Sequence, residues 1–213
     1  MTSPDRPGFA CPHYDLVLFD MDDVLARYEP EKRIAALADA TGRPAGAIRA
    51  AIWESDYFDK ADSGAWDAAR CHAEFSGRIG APVSRELWVT TRRASLTPFP
   101  EMLALVADIK ASGTRVGLLT NNDLLALEEL DALMPGLPAL MAPHGYASAQ
   151  FRLAKPDPEI FRVVCARIGV APGRAMFVDD LPENVAGARA AGLSAHLFAG
   201  RAGLEEALMR AGA

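Results

Sequence analysis

The sequence predicts an α/β fold built on a doubly wound parallel sheet, with a small helical-bundle cap inserted after the first strand. Three observations carry this expectation. Short, unbroken apolar runs recur along the chain and end at polar residues: Leu16–Phe19 before Asp20, Val116–Leu119 before Thr120, and Ala175–Val178 before Asp179. Runs without polar alternation suit strands buried on both faces of a parallel sheet. Segments of helical periodicity separate these runs, as in a βαβ arrangement. The third observation is a gap of roughly ninety residues between Asp20 and Arg115, several times what one crossover needs. Together they describe a Rossmann-like core interrupted once, early.

Taken in order, residues 1–13 are polar and proline-rich and lack a basic start followed by an apolar stretch. They read as a flexible arm rather than a signal peptide. The core comprises 14–26 and 97–213. Residues 27–96 read as the cap, with four helices over Glu31–Ala40, Ala45–Tyr57, Ala65–Ile79 and Arg85–Ala94. In the core, Pro100-Glu101 opens a helix that runs to Ser112 and stops at Gly113; Pro182-Glu183 opens another that runs to Ala191 and stops at Gly192. Asp157-Pro158-Glu159 combines an N-cap, a first-turn proline and an acid at the positive dipole end. Ser194–Phe198 is a fourth, shorter strand.

Bulk composition narrows the function classes. The 213 residues are 50% hydrophobic and 23% charged, with a net charge of −6. That suits one compact unit plus an insertion. It speaks against nucleic acid as a partner, because phosphate backbones select basic faces. No run reaches the ~18 apolar residues of a membrane span, so no membrane role is expected and the cytoplasm is the default address. The three cysteines, Cys11, Cys71 and Cys165, are too few and too scattered for a disulfide framework or a zinc site. Cys71 and Cys165 fall in helical patterns as inert fillers. His13, His72, His144 and His196 show no metal-ligand spacing.

Ligands of such sheets bind beyond the carboxyl ends of the strands. Those ends carry Asp20-Met21-Asp22, Thr120-Asn121-Asn122 and Asp179-Asp180, and Lys155-Pro156-Asp157 enters just ahead of a helix. Carboxylates gathered in this way repel one another unless a cation is present, and hard oxygen ligands suit Mg²⁺. Asp20 can then attack phosphorus as a nucleophile. Asp22 can serve as general acid and later as base for water. Lys155 offsets charge on the transferred group, and Thr120 and Asn121 donate hydrogen bonds to its oxygens.

At this point the chain resembles the haloacid dehalogenase-like (HAD) hydrolase superfamily. All four of its motifs stand in order: Asp20-Met21-Asp22-Asp23-Val24-Leu25, Leu118-Leu119-Thr120-Asn121-Asn122, Lys155-Pro156-Asp157-Pro158, and Phe177 to Asn184 through Asp179-Asp180. The resemblance implies an aspartyl-phosphate on Asp20. It implies Mg²⁺ held by Asp20, by the backbone carbonyl of Asp22 and by an acid of the fourth motif. Asp180 is favoured as the direct ligand, with Asp179 direct or acting through water. Asn184 matches a position that steadies the last loop. The insertion is similar to the family's small helical cap, whose stretch Tyr57 to Gly64 turns toward the site and makes Phe58, Asp59 and Lys60 candidate substrate contacts.

In detail the chain is similar to the branch holding sugar-phosphate phosphatases and the phosphatase domain of soluble epoxide hydrolases. The implied partner is a small phosphorylated metabolite, acted on by a monomer or homodimer. A phosphomutase on the same scaffold is the alternative; a dehalogenase or a non-catalytic relic ranks below it, given the intact acidic set. One position departs from the family pattern: Asp23 stands where glycine is common, a turn that Asp tolerates better than most residues. Trp53, Tyr57, Phe58, Trp66 and Trp88 read as cap packing, and Arg92-Arg93 as a solvated helix face.

Overall fold

The computed structural model describes residues 13–210; the expected arm therefore lies, apart from His13, outside the described residues. A five-stranded, wholly parallel sheet forms the centre, in the order Gly145–Ala147, Arg115–Thr120, Leu16–Phe19, Ala175–Asp179, Ser194–Leu197. In chain order, β1 is Leu16–Phe19, followed by β2 (Ala26–Tyr28) and five cap helices: α1 (Pro30–Thr41), α2 (Ala45–Ile52), α3 (Tyr57–Asp62), α4 (Ala68–Ile79) and α5 (Arg85–Ala94). Then come β3 (Leu96–Pro98), α6 (Pro100–Ala111), β4 (Arg115–Thr120), α7 (Leu124–Glu128), α8 (Leu130–Leu133), α9 (Leu137–Met141) and β5 (Gly145–Ala147). The chain closes with α10 (Pro158–Ile168), β6 (Ala175–Asp179), α11 (Pro182–Ala190), β7 (Ser194–Leu197) and α12 (Arg201–Met209).

The apolar strand runs behave as burial on both faces demands. Every residue of β1 is buried, and alternate side chains enter two different cores. Val17 and Phe19 join Leu105, Ile109, Val116 and Leu118 on one face. Leu16 and Leu18 join Phe161, Val164 and Phe177 on the other, where the Phe161 and Phe177 rings meet edge-on at 4.9 Å between centroids.

The cap holds five helices where the periodicity predicts four. Ser55 breaks the predicted Ala45–Tyr57 helix: its hydroxyl donates to the Ala51 and Ile52 carbonyls and accepts from the Tyr57 amide, ending α2 and starting α3. Likewise α4 begins at Ala68 rather than Ala65, because the Asp67 carboxylate caps it by accepting from the Arg70 amide at 2.7 Å. An antiparallel pair, with Ala26 opposite Pro98 and Tyr28 opposite Leu96, joins the two ends of this insertion. These three-residue strands and β5 are too short to register as patterns in sequence.

Two glycines permit approaches that bring the site together. A Cβ on Gly187 of α11 would lie 2.0 Å from the Pro156 carbonyl oxygen, so glycine lets the helix close on the Lys155 loop. A Cβ on Gly64, where φ is +69°, would lie 2.2 Å from the Ala149 carbonyl oxygen, and there the cap loop after α3 rests on the core. The Ser148 hydroxyl reinforces that contact by donating to the Asp62 carbonyl at 2.7 Å. Among the described residues no helix is long and apolar enough to cross a membrane.

Candidate active site

Parallel register brings three strand ends to one edge: Phe19 lies opposite both Leu118 and Val178, so Asp20, Thr120 and Asp179 emerge together. After Asp20 the chain turns tightly, with the Leu25 and Ala26 amides both donating to the Met21 carbonyl. Asp23 takes φ +59° in this turn, and its carboxylate accepts from the Tyr28 amide at 3.2 Å. A short polar side chain that bonds locally is what makes this left-handed position tolerable without glycine.

Lys155 is held from both sides. The Asn121 side chain accepts from the Lys155 amide at 2.9 Å and donates to its carbonyl at 2.8 Å. One N–H of the Asn121 amide group thus helps position Lys155, and its second N–H is left to donate to a ligand, as the sequence predicts. Lys155 is buried; its ammonium donates to Asp179 at 2.7 Å and lies 2.8 Å from Asp20 Oδ1. Of these two contacts the one to Asp179 is aligned as a hydrogen bond and the one to Asp20 is an ion pair, so among the described residues Asp20 Oδ1 has no aligned donor. Asp179 also accepts from the Asn184 amide group and the Leu181 amide, so its oxygens are well occupied. Thr120 Oγ1 accepts from Asn122 at 2.8 Å, which leaves its own hydrogen available to donate.

The cleft is acidic. Asp20, Asp22, Asp23 and Asp180 line about 230 Å³ of space, and among the described residues lining it Lys155 is the sole cation. Burial pushes the Asp20 carboxyl well above the usual carboxylate range; Lys155 pulls the other way and Asp179 adds to the rise. Asp180 is raised too, by burial first and by Asp179 next. The Lys155 ammonium is lifted above its ordinary value: burial opposes this, but Asp20 and Asp179 outweigh it. Asp20, Asp179 and Asp180 each offer a carboxylate oxygen, all within 4.8 Å of one another. An under-neutralised cluster of hard oxygens, one of them lacking an aligned donor, fits a divalent cation such as Mg²⁺.

A second cavity, about 290 Å³, opens beside this one under the cap, and Asp22 and Asn121 line both. Of the candidate contacts on α3, Phe58 lines it, whereas Asp59 and Lys60 are exposed and the Lys60 ammonium pairs with Asp56 at 2.6 Å. Trp53, Tyr57, Phe58 and Trp88, read from sequence as packing, do pack but also form its walls.

The solvated-face reading of Arg92 is overturned. Arg92 is 4% exposed, donates to Asp22 Oδ2 at 2.8 Å and stacks over the Tyr28 ring at 4.2 Å; only Arg93 is exposed. Burial alone would lower the Arg92 pKa, but the adjacent Asp22 raises it. Arg33, Asp62 and Asp123 also reach this cavity and were not singled out from sequence. The available signal was helical phase: Arg92 stands four residues after the buried Trp88, and Arg33 shares the buried stripe of Ile34 and Leu37. Cys71 and Cys165 are buried as expected, with burial pushing their thiols up to about 12 and about 11.

Comparison with known proteins agrees with this architecture. The haloacid dehalogenase-like hydrolase profile matches residues 14–192. The sesquiterpene phosphatase astK of Aspergillus oryzae is 27% identical over 191 residues, 86% of this chain and 89% of that protein. A phosphoglycolate phosphatase of Rhodospirillum rubrum is 35% identical over 101 residues, 47% of this chain and 41% of its own. A HAD family enzyme of Bacteroides thetaiotaomicron, crystallised with magnesium and inorganic phosphate, shares the fold with a TM-score of 0.73 at 20% identity, over 88% of this chain and 96% of that one. The strand-end acids, the buried lysine and a match that spans most of the chain place this protein in the haloacid dehalogenase-like hydrolase family.

Proposed function

We propose that this HAD-type phosphatase hydrolyses small phosphate monoesters, sugar phosphates or similar metabolites, in a magnesium-dependent reaction through an aspartyl-phosphate on Asp20. The observation that carries the reading is Asp20 itself: buried, at a strand end, 2.8 Å from the Lys155 ammonium, with an oxygen that has no aligned donor among the described residues. The Asp20 carboxylate attacks phosphorus, the bond to the leaving oxygen breaks, and Asp22 gives that oxygen a proton. Water then attacks the aspartyl-phosphate, with Asp22 taking its proton, and phosphate leaves. Asp22 Oδ2 is held by Arg92 while Oδ1 has no partner among the described residues, so one oxygen is anchored and the other is available for the proton. Lys155 and the Thr120 hydroxyl offset charge on the transferred group. Asp20, the Asp22 carbonyl and Asp180 would hold the metal, with Asp179 engaged by Lys155 and Asn184 in support. When bound, Mg²⁺ supplies the positive charge that lets an anionic nucleophile approach an anionic phosphate.

Phosphate release from a panel of phosphorylated metabolites, with Mg²⁺ and with chelator, tests this reading. Release that chelator suppresses about 100-fold or more is expected, on the scale of a charge-stabilising group. No release from any compound with Mg²⁺ present overturns it.

Asp22→Asn discriminates further. Steady-state turnover of alkyl phosphates should fall about 10²- to 10⁴-fold. With p-nitrophenyl phosphate the nitrophenolate leaves unaided, so a rapid burst of it should precede slow turnover, because the water step still lacks its base. An unchanged steady-state rate would remove Asp22 from the mechanism.

A further inference from the structure

The cavity beneath the cap contains a buried cation with donors that no described residue satisfies. Arg33 is 2% exposed, and its guanidinium carbon lies 4.7 Å, 4.8 Å and 5.9 Å from the ring centroids of Phe75, Trp88 and Trp53. Those rings hold the group in place, but they do not satisfy its donors. Nε and Nη2 of Arg33, and Nε1 of Trp88, have no hydrogen-bond partner among the described residues. Buried charged donors left unmade are costly, so they persist where a partner arrives from outside. Burial first, and the like charge of Arg92 next, lower the Arg33 pKa to about 10, which leaves it protonated at neutral pH.

Among the described residues, no acid that lines the same cavity hydrogen-bonds to Nε or Nη2 of Arg33. Asp22 Oδ2 is on Arg92, and Asp123 Oδ1 caps α7 by accepting from the Ala126 amide at 2.7 Å. Asp62 is pushed up to about 8 by burial first and by Asp123 next, so near neutrality it stands mostly protonated, as a further donor. What Nε and Nη2 of Arg33 lack, among the described residues, is an acceptor.

We propose that Arg33 is a specificity-determining residue that receives a second anionic group, a carboxylate or a phosphate, carried on the organic part of the substrate. The Trp88 indole N–H is a further donor, and Trp53 and Phe58 form the walls. The planar fork of a guanidinium matches the paired oxygens of either anion. This rests on the phosphatase reading of the adjoining cleft: Asp22 and Asn121 line both cavities, so one molecule can offer phosphorus to Asp20 and its far end to Arg33. A cavity of about 290 Å³ stands at the small end of ligand pockets and selects a compact metabolite over a long chain.

A matched three-carbon series tests the proposal: propane-1,3-diol monophosphate, its analogue oxidised to a carboxylate at the far end, and propane-1,3-diol bisphosphate. The wild-type enzyme should favour at least one anion-ended compound about tenfold or more in kcat/KM over the hydroxyl-ended one. Which anion is favoured separates carboxylate from phosphate recognition. Arg33→Met should shrink that preference to about threefold or less, and Arg33→Lys, which keeps the charge without the fork, should retain part of it. If Arg33→Met does not fold, the drop in preference with Arg33→Lys carries the test.

Calorimetric binding of the same compounds to Asp20→Asn protein, with and without the Arg33 change, separates the two readings. Arg33-dependent binding without hydrolysis by the wild type would sink the phosphatase reading alone. Hydrolysis indifferent to the far end, with an Arg33 change that alters all compounds equally, would overturn this proposal alone.

Discussion

Asp20→Asn should reduce phosphate release about 10⁴-fold or more, while leaving the melting temperature unchanged or raised. An amide cannot form the acyl-phosphate under these conditions, and the remaining groups only orient and neutralise. The stability half of the expectation follows from the site's crowding. Burial raises the Asp20 carboxyl, and the charges of Asp179 and Asp22 add to the strain. A neutral amide of the same shape relieves this, and Lys155 keeps its 2.7 Å partner in Asp179. Single-turnover assays and thermal unfolding in chelator check the two halves. Turnover within tenfold of wild type would place the nucleophile elsewhere.

Lys155→Met should destabilise the protein by about 3–5 kcal/mol at pH 7 in chelator, as well as silencing it, because removal of one partner strands buried opposite charges. The Lys155 side chain is 1% exposed, and its two carboxylates, on Asp20 and Asp179, are 10% and 0% exposed. The pH dependence has a definite sign. Asp20 already titrates above its unfolded value, and loss of Lys155 raises it further. The variant's deficit should therefore be smallest in acid and grow as pH rises through the folded pKa of Asp20. Urea unfolding of both proteins at pH 6 and pH 8.5, on either side of the Asp20 value of about 7, measures this. A deficit under about 1 kcal/mol at pH 7 would mean that Lys155 is not the main counter-ion of the pair.

These two residues illustrate how much of the site lies in sequence. Asp20, Thr120, Lys155 and Asp179-Asp180 are legible because each directly follows an apolar run or precedes a capped helix, and strand ends of a parallel sheet converge by register alone. The same locality explains the helix starts at Pro100, Pro158 and Pro182. Where a local rule had a local competitor, the reading erred: Ser55 ended α2 early by bonding its own backbone.

Arg33 and Arg92 belong to the other category. An arginine on an amphipathic helix usually faces water, and helical phase, the one local signal here, gives a buried side but not the partner that would keep a charge there. Their burial arises from the fold. Segments that are distant in sequence, α1, α5 and the turn after β1, are brought to one cavity by the β2–β3 pair. The sequence by itself determined the alternating core, the insertion and the acidic edge, since these depend on periodicity, caps and strand ends. Only the tertiary structure decided which cap side chains meet Asp22 and which buried cation has donors that no described residue satisfies, because burial and pairing between remote segments depend on the packing of the whole.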